Sequence, residues 1–330
     1  VPGELLDALY YIDELATPSG LDALLTAAED AGLSVGKGVT PAEVALQLWL
    51  ADRGLVERLH AQHRTHRHRS FTYFQTDRQS TPEELSPSHD QLRRLERLLD
   101  QSFESKRRGR GTRIFIFSDD TIVRFAIRHG GPFRREGTIE EEGTSSVFYR
   151  PEVFDAVVYL PTTGELGVHA QQAWERELYR RQFGRVLFDS EDFFPVTGKY
   201  TLEPLRRYGE AALNCIDVAG IEWIRLCELH LYWGGAYQEV GICKASDVLA
   251  ALAETNREIP EQPRLVRAGF RVKFAGCRTP RSVIIRPSNV ALYTRDDDSI
   301  WIEQWLRLRG FILGEGEEHR DTPGPVLAVA

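Results

Sequence analysis

Methionine is absent from the 330-residue chain, and lysine is scarce: of 41 basic residues, five are lysine and 36 arginine. Arginine is therefore the default cation, so an arginine-rich stretch does not by itself indicate nucleic acid. The four cysteines (Cys215, Cys227, Cys243 and Cys277) are widely spaced and form no CxxC pair. This excludes a zinc knuckle or a disulfide framework and predicts reduced thiols in a cytoplasmic setting. No apolar run approaches the length that crosses a bilayer, so no membrane partner is expected. The opening VPGELLDALYYIDEL carries acids early and lacks a basic start followed by an apolar block, so no secretory signal is expected. A strand–GxGxxG–helix, a Walker loop and a GxSxG elbow are all missing, which removes support for a phosphate cradle or a serine hydrolase. The net charge of −8 does not favour a global electrostatic attraction to nucleic acid.

What is present has the composition of a globular chain: 42% hydrophobic and 27% charged. The first hundred residues read as helices. TPAEVALQLWLADRGLVERLHAQH opens with a capping box, with Thr40 as N-cap and Glu43 reaching back, and Gly54 is the place where it can break. SFTYFQ has the composition of a short strand, and DQLRRLERLLDQSF is amphipathic. A basic, glycine-containing segment, SKRRGRGTR, follows. RIFIF and TIVRFAI then read as a hairpin turning near Asp119 and Asp120, and GTIEEEGTSS reads as an acidic loop. Further on come the helix QAWERELYRRQF, the long strand IEWIRLCELHLYW and the strand YQEVGIC. Strict alternation along the long strand would put Ile224, Leu226 and Glu228 on one face and Arg225, Cys227 and Leu229 on the other, an unclean pattern. The C-terminal helix is expected to bury Trp301, Trp305 and Leu308. The predicted fold class is α+β: a helical N-terminal portion, then a mixed, largely antiparallel sheet with interspersed helices. The expected divisions are a helical domain over 1–104, a basic linker over 105–112, an α+β domain over 113–313 and a mobile tail over 314–330.

The stretch HAQHRTHRHR holds four of the nine histidines. His60, His63 and His66 are spaced by threes. A helix turns a side chain through about 240° between the first and last, so the three cannot converge on one metal. No acid or cysteine in the segment completes a coordination shell, and no metal site is predicted. The simplest role is cationic groups complementing the C-terminal end of a helix dipole. A second role follows from the neighbours. From Arg58 to Gln75 there is no acid, and Phe71, Tyr73 and Phe74 follow the cations, which is what a phosphate-tracking, base-stacking surface needs. The candidate nucleic-acid residues are Arg58, His63, Arg64, His66, Arg67, His68, Arg69 and Tyr73, with Lys106, Arg107, Arg108 and Arg110 from the second basic segment. Histidine charge in this segment is expected to rise as pH falls through about 6.5, strengthening phosphate binding.

The hairpin RPEVFDAVVYLPTTGELGVHAQQ has Pro151, Glu152 and Asp155 before an apolar run. Its layout loosely resembles the core of PD-(D/E)XK nucleases, in which acids on two strands bind a divalent metal. The position of the D/E-x-K reads His169-Ala170-Gln171, and Glu165 sits early, so the resemblance implies a degenerate scaffold. As an active enzyme, the chain would be an Mg²⁺-dependent phosphodiesterase using Asp155, Glu165 and His169. Glu228 and His230 lie two apart on a strand, a carboxylate beside an imidazole, for which a structural role is expected. The leading expectation is a non-catalytic binding or regulatory component that engages nucleic acid or a protein handling it. The third is a purely protein-binding subunit, partnered by another protein or a second copy of itself.

Overall fold

The computed structural model describes residues 3–18, 20–36, 38–66, 68, 70–76, 85–118, 122–140, 143–194, 198–287, 289–293 and 299–313. The expected turn at Asp119 and Asp120 and the expected tail over 314–330 lie outside these residues. In chain order the helices are α1 (Gly3–Leu15), α2 (Leu21–Asp30), α3 (Pro41–Ala51) and α4 (Arg53–His66), followed by the strand β1 (Ser70–Gln75) and α5 (His89–Ser105). Then come β2 (Arg113–Ser118), β3 (Val123–Gly130), β4 (Arg134–Glu140), β5 (Gly143–Tyr149), β6 (Glu152–Leu160) and β7 (Glu165–His169). The remainder comprises α6 (Ala173–Leu187), α7 (Glu203–Tyr208), a 3₁₀ turn (Gly209–Leu213), β8 (Ile221–Gly234), β9 (Glu239–Lys244), α8 (Val248–Glu254), β10 (Arg264–Phe274), β11 (Arg281–Arg286), β12 (Val290–Leu292) and α9 (Ser299–Leu308). The fold is α+β, with helices first and the strands paired antiparallel. Among the described residues no helix is long and apolar enough to cross a membrane. The chain divides into two compact units, residues 1–68 with 84–159, and residues 69–83 with 160–330.

In the first unit, α1 to α4 close over Leu24, Val44, Leu48 and Val56, all fully buried. Thr40 caps α3 as expected, accepting from the Glu43 amide while Glu43 accepts from the Thr40 amide. The long helix read from the sequence is two. Asp52 takes an extended conformation and its carboxylate accepts from the Gly54 amide, which ends α3 at Ala51 and lets α4 start at Arg53. Ser88 caps α5, and Leu95, Leu99 and Phe103, four apart, form its buried face. β2, β3 and β6 pair in that order. The expected acidic loop is instead a two-stranded ribbon, β4 against β5, with Thr138 opposite Ser145 and Glu136 opposite Val147. Cross-strand pairing there joins β-branched and hydroxyl residues whose pattern the acids disguise.

In the second unit seven strands run in the order β7, β1, β12, β11, β10, β8, β9. One face of this sheet is the core. Trp305 of α9 packs edge-on against Phe270 of β10 at 5.2 Å, lies beside Phe311, and donates its indole N–H to the Ala212 carbonyl. The buried face of α9 is Ile302, Trp305 and Leu306; Trp301 is half-buried and Leu308 exposed, so the expected stripe is rotated by about one residue. Helix α9 presents what the sheet requires, not the widest-spaced aromatics.

Candidate nucleic-acid interface

Of the described histidines and arginines in the histidine segment, His60 is buried in the first unit and His63, Arg64 and His68 are half-buried there. His60 is 1% exposed, stacked on Tyr11 at 4.5 Å and edge-on to Phe154. Burial pushes its pKa down to about 4, against the opposing pull of Glu14, whose carboxylate lies 3.5 Å away. The expected gain of charge near pH 6.5 therefore does not hold for His60. Arg64 donates to Glu14 at 3.2 Å, and the His68 ring meets the Phe154 carbonyl. Arg58 donates to the Ile116 carbonyl and lies over the Phe117 ring. His63 is half-buried on α4. Arg67, Arg69 and the side chain of His66 lie outside the described residues. In the second basic segment Lys106 caps the C-terminus of α5, Arg110 pairs with Glu104, Arg150 donates to the Arg107 carbonyl, and the Arg108 amide donates to the Phe103 carbonyl. Asp100 anchors the following turn by accepting from the amides of Gly111 and Thr112. Asp155, also in this unit, is buried against His129 at 2.9 Å, whose ring stacks on Phe103 at 4.1 Å.

Tyr73, Glu165 and His169 belong to the second unit. Tyr73 is 3% exposed, with the Lys199 ammonium 4.2 Å above its ring, so it offers no face to a base. Glu165 accepts from Gln75 with one oxygen and from Lys199 with the other, both at 2.8 Å. Glu303 lies 3.5 Å from the same ammonium and accepts from the Tyr293 hydroxyl. Burial alone would lower the Lys199 pKa; Glu303 and Glu165 outweigh it and raise it. A lysine already neutralises Glu165 and both its oxygens are engaged, so this carboxylate does not fit an Mg²⁺ ion. His169 directs Nδ1 at the Ser70 carbonyl, 2.7 Å away. Lys199 was not singled out from sequence, although one lysine among five in an arginine background was a signal.

The face of this sheet opposite Trp305 has a different composition. A register shift sets Gly269 opposite Glu228 and Phe270 opposite Leu226, so Cys227 is an extra residue in β8. That bulge swings Glu228 onto the face of Arg225, which is why alternation looked broken in the sequence. On this outer face Arg225 stands directly opposite Arg271, and Trp223 opposite Lys273. His230 stands opposite Arg267 and Tyr232 opposite Arg264 on one side, with Lys244 opposite Glu228 on the other. Arg286 at the end of β11 lies beside Arg267. Burial, then the Arg267 charge, lowers its pKa from the ordinary arginine value. Arg225 lies over the Trp223 ring at 4.6 Å and Arg264 over the Tyr232 ring at 4.9 Å.

Two carboxylates temper this field. Glu222 pairs with Lys273 at 3.4 Å. Glu228 contacts His230 at 2.7 Å, Arg267 at 3.0 Å and Lys244 at 3.6 Å. Its burial would raise its pKa, but those donors and charges win and lower it. The Glu228–His230 pair is thus held within a cationic surround. Seven cations (Arg225, Lys244, Arg264, Arg267, Arg271, Lys273 and Arg286) stand against two acids, a local excess of five in a chain whose net charge is −8. Arg225, Arg271 and Arg286 are exposed. Compared with known proteins, the chain matches no family model and no curated protein sequence.

Proposed function

We propose that the protein is a nucleic-acid-binding component whose second unit presents single strands to the outer face of the β8–β11 sheet. The observation that carries this reading is a pair of like-charge juxtapositions in the strand register: Arg225 directly opposite Arg271, and Arg267 and Arg286 next along from the Ala268–Ile285 pair. Like charges opposed across strands cost stability in the free chain, and phosphates threading between them would relieve it. The rings of Trp223 and Tyr232 flank these pairs, each under an arginine that a base can displace or extend. A sheet face bearing cations and rings suits unstacked bases better than a closed duplex.

The test is fluorescence anisotropy with a labelled single-stranded oligonucleotide across a salt series. Engagement of about four phosphates gives a log–log salt slope of about −3. Replacing Arg225, Arg271 and Arg286 together by alanine is expected to weaken binding by about 100-fold and to flatten the slope. Arg64→Ala, an internal ion pair, should leave affinity unchanged. Unaltered affinity in the triple variant would overturn the assignment to this face.

A further inference from the structure

We propose that two copies of the chain associate reversibly through antiparallel pairing of their β9 strands. β9 is the last strand of its sheet, paired only with β8, and no described residue bonds to its outer side. Its exposed residues are those a strand partner would cover: Val240 is 40% and Ile242 61% exposed. Exposed β-branched residues on one face of an unpaired edge strand are a template for another strand. The outer edge of β2 in the first unit is treated differently. At β2, the Ile114 amide donates to the Glu96 carboxylate and the Ile116 carbonyl accepts from Arg58. Side chains therefore occupy two ladder groups of β2, while no described residue bonds to the outer side of β9.

The occupant follows from symmetry and charge. A two-fold axis normal to the sheet through Gly241 sets Gly241 opposite Gly241 of the second copy and Val240 opposite its Ile242, twice over. Four exposed apolar side chains then cover one another. Antiparallel pairing also brings the Glu239 end of one strand to the Lys244 end of the other, whereas parallel pairing would align like charges. Because the axis is normal to the sheet, the outer faces of both copies stay on one side. If the nucleic-acid reading holds, pairing doubles the platform; the pairing itself does not depend on that reading.

The experiment is sedimentation velocity on the full chain without nucleic acid, over a concentration series. The expected result is a reversible monomer–dimer equilibrium that Ile242→Lys weakens by tenfold or more, a substitution at an exposed position that leaves far-ultraviolet dichroism unchanged. The register has its own test. Paired residues lie about 4.5–5.5 Å apart at Cα, within disulfide range. A Cβ at 241 meets the Trp233 indole nitrogen at 3.4 Å, an ordinary contact. Gly241→Cys should therefore cross-link on oxidation, while the native Cys243, opposite Glu239 in this register, should not. A monomer at every concentration, a dimer that Ile242→Lys leaves intact, or cross-linking through Cys243 would overturn the proposal.

Discussion

The surroundings of α4 and β2 in the first unit and the outer face of β8 to β11 in the second use their charges in opposite ways. In the first, cations and acids are turned onto the chain's own groups: Arg64 on Glu14, Arg128 on Glu57, Arg58 and Glu96 on the backbone of β2. On the outer sheet face of the second, Arg225, Arg271 and Arg286 stand exposed, while the buried Lys199 is neutralised by Glu165. The difference teaches that arginine density is a poor guide to function until the partner of each guanidinium is known. HAQHRTHRHR gathers four histidines and three arginines in ten residues, yet His60 is buried and Arg64 and His68 bond to groups of their own unit. The arginines of β8, β10 and β11 are spread over some sixty residues and converge only through pairing.

The comparison breaks most sharply at Lys199. Lys199→Met leaves the buried Glu165 and the half-buried Glu303 without their counter-ion and should cost about 3–5 kcal/mol. Arg271→Ala on the outer face should change stability by no more than about 0.5 kcal/mol. Chemical denaturation followed by tryptophan fluorescence measures both. Equal effects would mean that inward and outward cations are not distinct populations.

A pH titration of stability probes the first unit. The folded-state pKa of His60 lies at about 4, below its unfolded value, so the unfolded chain takes the proton first. Stability is then intact above about pH 6.5, falls as pH drops toward 4, and levels off below; the loss is bounded at about 3 kcal/mol. Glu14, whose pKa is lowered because Arg64 and His60 outweigh its burial, adds a loss of the same sign at lower pH. His60→Phe keeps the stack on Tyr11 and should flatten the upper part of this profile. A profile unchanged in that variant would place the acid sensitivity elsewhere.

Local signals in the sequence were legible where a short segment determines its own conformation. Thr40-x-x-Glu43 capped its helix, RIFIF and TIVRFAI paired, and IEWIRLCELHLYW formed one strand. Features that depend on a distant partner were not. The bulge at Cys227 exists because β10 pairs with β8 out of step, and it reversed the face to which Glu228 was assigned. Glu165 looked like a metal ligand until Lys199, 34 residues away, closed on it. The outer face combines residues from strands whose order no local pattern encodes.

The smallest expected effect bears most directly on the two edges. Arg58 and Glu96 reach β2 from helices 58 and 18 residues away in sequence, and each satisfies one ladder group. Losing either hydrogen bond should cost about 1–2 kcal/mol, because the freed group is partly buried and recovers water only in part. The sharper consequence is association. In an Ile242→Lys background, where β9 pairing is disabled, Arg58→Ala with Glu96→Ala uncovers the edge of β2, whose Ile114, Phe115, Ile116 and Phe117 have the composition of a pairing strand. That variant should regain concentration-dependent association in sedimentation while Ile242→Lys alone stays monomeric. If it stays monomeric too, the helices flanking β2 guard that edge by bulk, and the contrast between the edges lies in what covers each strand and not in which ladder groups are occupied.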